Sequence, residues 1–134
     1  MRGEPQAADE VAHLLASPTA LSAANYAEIV DHVMRHGGLD ADEAEVRMRL
    51  LVEAGTRIIP VDDQMASRAG ALRAEHYRRG TRAVSLADCC ALATSLALGT
   101  PLATADPALA TVARAEGCEV VALPDSRGVR PLAT

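Results

Sequence analysis

The chain has 134 residues, a net charge of −5 and 13 basic side chains, every one of them arginine. That length suits one domain over residues 1–134, able to bury roughly two thirds of the surface its unfolded form exposes, and the acidic balance argues against broad, non-specific nucleic-acid binding by the whole surface. Three cysteines without a C-x-x-C pattern indicate neither a disulfide framework nor a zinc knuckle; no stretch reaches the length of a membrane span and Met1-Arg2-Gly3-Glu4-Pro5 is no signal peptide, so a reducing cytoplasm is the expected setting. With no Phe or Trp and two Tyr, the core has to be built from Ala, Leu and Val.

In chain order, Ala7 to Ala16 reads as a helix with Ala8, Val11, Leu14 and Leu15 on one face, stopped by Pro18. Ala20-Leu21-Ser22 is a short apolar strand. A helix follows from about Ala24, with Tyr26, Ile29, Val30 and Val33 at helical spacing, and Gly37-Gly38 ends it. Asp40 opens the next helix with Glu43 as its capping partner; Val46, Leu50 and Leu51 are its expected inner stripe and Gly55 its stop. Arg57 to Val61 is a β-branched strand that Pro60 places at an edge or an end. Asp62 caps a helix carrying Met65, Ala66, Ala69 and Leu72.

A polar loop from Tyr77 to Ala83 then runs into Ser85-Leu86-Ala87-Asp88, the S-x-x-D relation of a capping box, and an alanine-rich helix extends to Leu98 with Gly99 as its stop. Pro101-Leu102-Ala103 is a strand. Asp106-Pro107 starts a helix that Gly117 closes, with proline at its first position. Glu119 to Leu123 is the last strand, and the Pro-, Gly- and Arg-rich tail from Pro124 is expected to be loose. Strands alternating with helices imply an α/β fold, three layers with helices on both faces of a parallel sheet. The ligand site of such a sheet lies beyond the carboxyl ends of its strands. Glu28 sits early in the helix after Leu21, Asp88 starts the helix before the Leu102 strand, and Asp106 follows that strand directly, so the three can converge on one rim.

Carboxylates without a neighbouring His or Cys suit hard cations, Mg²⁺ or Mn²⁺. Such ions activate a water and stabilise the charge that builds up on a phosphodiester. The competing reading is that each acid merely caps a helix, since acids are enriched in first turns. His32 and His36, four apart on one helix, have the spacing of a transition-metal pair but no third ligand nearby, and read as surface residues at a helix C-terminus. Arg73, Arg78, Arg79 and Arg82 form a basic run ahead of Asp88, either a solvated helix end or a grip on an RNA backbone through phosphate. No aromatic platform accompanies them, so base stacking is not supported. Cys89 and Cys90 read as packing residues. No G-x-S-x-G, G-x-G-x-x-G or Walker loop is present.

Ser22-Ala23-Ala24-Asn25-Tyr26-Ala27-Glu28, Ser85-Leu86-Ala87-Asp88-Cys89 and Leu102-Ala103-Thr104-Ala105-Asp106, in that order and spacing, resemble PIN-domain proteins of the VapC type, the toxin half of a bacterial toxin–antitoxin pair. The resemblance extends over nearly the whole chain. It implies a PIN-like fold and a magnesium-dependent ribonuclease, with Mn²⁺ as an alternative ion. Glu28, Asp88 and Asp106 would be the metal ligands and catalytic acids. Thr104 would be a supporting hydroxyl, Asn25 would orient the site, and Ser85 would support Asp88. Implied partners are a cognate antitoxin, an RNA substrate and a second copy of the chain, with no membrane. The family opens with a strand bearing an Asp, in a pattern like V-x-D-x-S-A, that this chain lacks; Met1 to Pro5 resembles the segment just after that strand. The expectation is therefore a PIN-like sheet without its N-terminal strand, in which the strands at Leu21 and Leu102 either pair with each other or leave an unpaired ladder. Asp9 and Glu4 are poor substitutes for the lost ligand. A start placed too far downstream is the favoured explanation and a degenerate copy the other. An alternative function is a catalytically inactive module that retains antitoxin pairing or self-association through its Ala/Leu helices.

Overall fold

The computed structural model describes residues 19–125 and 127–132. The expected helix from Ala7 to Ala16, with Asp9, and Glu4 before it, lies outside them. The elements are β1 (Ala20–Ser22), α1 (Ala23–Arg35), α2 (Ala41–Glu53), β2 (Arg57–Ile59), α3 (Asp63–His76), α4 (Leu86–Leu98), β3 (Leu102–Thr104), α5 (Pro107–Ala115) and β4 (Val120–Ala122). This is the expected α/β alternation with short parallel strands, consistent with a PIN-like α/β/α arrangement. Among the described residues no helix is long and apolar enough to cross a membrane.

The helices begin where local chemistry dictates. Asp40 and Glu43 form a complete capping box on α2, each side chain accepting from the other's backbone N–H at 2.8 and 2.9 Å. Asp62 accepts from Met65 N at 2.8 Å to open α3. At the end of α4, Gly99 adopts φ 66°, the left-handed conformation that releases the chain into β3 and that a side chain disfavours. β2 stops at Ile59 because Pro60 has no N–H to donate to a ladder.

β1 pairs with β2 in parallel, Leu21 opposite Ile58, and β3 pairs with β4 in parallel, Ala103 opposite Val121. Among the described residues these are two separate two-stranded sheets, so β1 and β3 do not pair with each other. Both β1 and β3 pack against α4, which holds the two pairs in one body.

That role explains the composition of α4. Cys89, Cys90, Leu92, Ala93, Thr94 and Ser95 are all buried, so the helix is surrounded, and α3 is its most extensive neighbour. Small side chains allow this close approach. Ala69 and Leu72 of α3, Leu109, Val112 and Ala113 of α5, and Val84 ahead of α4 complete the core. The Thr94 hydroxyl donates to Cys90 O at 2.8 Å and so is not left unsatisfied inside the core.

Two expectations are corrected. On α2, Val46 and Leu50 point outward, 54% and 57% exposed, while Ala44 and Met48 are buried. Met48 fills the interior beside α1 and Leu51 is half-buried; the inner row is Ala44-Met48-Leu51, which periodicity could not separate from the equally apolar row beside it. The tail is not loose over its described part: Asp125 Oδ1 accepts from Arg127 N and Val129 N at 2.8 and 3.0 Å, closing a turn, and Pro131 is buried.

Cys89 has no exposed surface, and its burial, reinforced by the nearby Asp88 charge, pushes its thiol from the usual 9.0 up to about 11. A group whose folded pKa is raised contributes stability that is complete below its unfolded value and is lost as pH rises through the folded one. The Cys89 contribution is therefore intact below about pH 9 and falls between about 9 and about 11. Urea midpoints compared at pH 8 and pH 10.5 should drop less for Cys89→Ala than for the parent chain; equal drops would contradict this.

Candidate functional site

Asp88 is held by the start of α4. Its Oδ2 accepts from Ser85 N at 3.0 Å while Ser85 Oγ accepts from Asp88 N at 3.0 Å, so the capping box is complete. The approach to this box is fixed from α3. Arg73 donates through Nε to Val84 O at 2.9 Å, and its guanidinium lies 4.5 Å from the centre of the Tyr77 ring. Asp106 is built in the same manner at the start of α5: Oδ1 accepts from Ala108 N at 2.9 Å, and Asp106 N donates to the buried Thr104 hydroxyl at 3.0 Å. Thr104 thus acts on the backbone of Asp106. Glu28 lies on α1 and is exposed, with Asn25 Nδ2 donating to its Oε1 at 3.3 Å. Asp88 and Asp106 are half-buried.

One pattern recurs at all three acids. A single oxygen is engaged by the backbone or by Asn25, and among the described residues the other oxygen accepts no hydrogen bond from protein. The α4 and α5 N-termini also place positive backbone ends beside Asp88 and Asp106. Such oxygens are hard donors suited to Mg²⁺ or Mn²⁺. The three are not drawn into mutual contact, however. Among the described residues, the one set of three His, Cys, Asp or Glu side chains whose ligand atoms all lie within 4.8 Å of one another is Glu75, His76 and Glu116. Glu28, Asp88 and Asp106 do not all come within that distance of each other. Magnesium holds few protein carboxylates directly and keeps several waters, so direct packing of all three around one ion is not a requirement of its chemistry.

The basic run divides. Arg78 donates to the carbonyls of Tyr77 and Glu75 at 2.8 and 3.2 Å, closing the end of α3, and Arg78 and Arg82 bridge across the turn through their backbones. Arg79 is exposed at the tip of that turn. The His32 and His36 rings meet at a 44° tilt with centres 4.9 Å apart on an exposed face and belong to no three-residue ligand set among the described residues.

The cluster at Glu75, His76 and Glu116 was not visible in the sequence. His76 and Glu116 are 40 residues apart and come together only because α3 and α5 end on the same side. The adjacent pair Glu75-His76 at a helix end was the sole local signal.

Compared with known families, residues 1–115 match the PIN domain. The match spans β1 through α5 and so includes Glu28, Asp88 and Asp106. No curated protein matches the chain.

Proposed function

Because the chain belongs to the PIN-domain family, whose members are generally metal-dependent nucleases acting on nucleic acid, we propose that it is a magnesium-dependent endoribonuclease, the toxin component of a toxin–antitoxin pair. Glu28, Asp88 and Asp106 hold the metal, Mg²⁺ or in its place Mn²⁺. The observation that carries this reading is the shared arrangement of the three acids, each with one oxygen positioned by the fold and the other left for a cation.

When bound, the metal supplies a polarised water and stabilises negative charge on the scissile phosphate. The chain's own residues do the positioning. Ser85 fixes Asp88 through the capping box, Thr104 fixes the backbone of Asp106, and Asn25 orients Glu28. Arg79, with Arg78 and Arg82 beside it, offers guanidinium groups to the RNA backbone ahead of α4. The partners in this reading are an antitoxin that silences the enzyme and a second copy of the chain.

RNA incubated with the purified protein should be cleaved with Mg²⁺ and left intact after chelation, with activity returning on Mg²⁺ or Mn²⁺ addition. Cleavage that survives chelation, or a protein that binds Mg²⁺ at no specific site, would rule the reading out; the second result is that of an inactive binding module.

A further inference from the structure

The C-terminal ends of α3 and α5 meet at a cluster of mixed donors. His76 Nε2 lies 2.6 Å from Glu116 Oε2 and 3.3 Å from Glu75 Oε2. His76 is only 7% exposed, Glu116 is half-buried, and Glu75 opens to solvent. The buried imidazole is therefore aimed at two carboxylates at once. Glu75 and His76 end α3 and Glu116 is the C-cap of α5, so both helices direct their negative ends at this point. Even a protonated His76 leaves this cluster with excess negative charge. Arg78 donates to the Glu75 and Tyr77 carbonyls and so offsets the α3 end, and Arg114 donates to the Leu132 carbonyl, which leaves the carboxylate charge itself uncorrected. Among the described residues neither carboxylate pairs with an arginine.

We propose that Glu75, His76 and Glu116 form a site for a divalent transition metal, with Zn²⁺ as the reference ion. It is independent of the acids assigned to RNA cleavage. A tetrahedral Zn²⁺ with bonds of about 2.0–2.2 Å sets its ligand atoms roughly 3.3–3.5 Å apart. The His76–Glu75 separation of 3.3 Å already meets that spacing. Glu116 has to retreat by less than about 1 Å as the ion replaces the proton it shares with His76. An imidazole nitrogen among the donors selects zinc over magnesium. Glu75, being exposed, closes the site from the solvent side and leaves a coordination position for water. The bound ion joins α3 to α5 and holds the end of α3, one turn beyond Arg73, which positions Val84 and hence the start of α4.

Titrating ZnCl₂ into the full chain by calorimetry should show one site per chain. Glu75→Gln, at an exposed side chain, and Glu116→Gln should each weaken that site at least about tenfold, whereas Asp88→Asn should retain it. Zinc should also raise the unfolding midpoint of the parent chain and not that of Glu75→Gln. An unchanged zinc affinity in both glutamine variants, or no binding by the parent chain, overturns the proposal and leaves His76 as an ion-pair partner only. A parent chain that binds zinc at this site but cleaves no RNA with Mg²⁺ would refute the nuclease reading and not this one.

Discussion

Asp88→Asn is expected to lower magnesium-dependent RNA cleavage by at least about 100-fold, a loss larger than the one expected from disturbing an outer partner of a metal ligand. The substitution is chosen to separate chemistry from folding. Asp88 has two structural tasks: its Oδ2 accepts from Ser85 N, and its own N–H donates to Ser85 Oγ. An asparagine keeps a carbonyl oxygen for the first and the backbone N–H for the second, so the capping box survives while the carboxylate charge is lost. Asp106→Asn makes the same separation at α5, where the retained carbonyl oxygen can still accept from Ala108 N. Both variants should keep the parent's circular dichroism and unfolding midpoint within a few degrees. Full RNA cleavage by either variant would show that these acids are caps and no more.

Leu92→Ala should reduce stability by about 3 kcal/mol, within the range of about 2–5 for emptying a buried leucine site. Leu92 has no exposed surface and lies in the middle of α4, the helix against which both strand pairs and α3 pack. A cavity there is shared by all its neighbours. Without Phe or Trp in the chain, no large side chain is at hand to fill it. For a domain of this size the change corresponds to a fall of roughly 12 °C in Tm, measurable by calorimetry or circular dichroism. Leu86→Ala on the same helix is the control: Leu86 is 57% exposed and its loss should be felt little. A Leu92→Ala cost below about 1 kcal/mol would mean that α4 is not the centre of the core.

What could be read from the residues alone is what depends on neighbours a few positions away. The starts of α2, α3, α4 and α5 at Asp40, Asp62, Ser85 and Asp106, and the stop at Gly99, are settled by hydrogen bonds within a single turn and by one backbone conformation. The family is legible for a related reason: its motifs are short runs around Glu28, Asp88 and Asp106, each placed at or near a helix start. Three matters depended on distant partners. Val46 and Leu50 are as apolar as Ala44 and Met48, and only docking against the rest of the chain decides which row turns inward. The strands fall into two parallel pairs, and which strands lie side by side is set by how the intervening helices pack, a condition no single strand carries in its own residues. His76 meets Glu116 across 40 residues of chain because α3 and α5 end side by side, and local spacing holds no record of how helices pack.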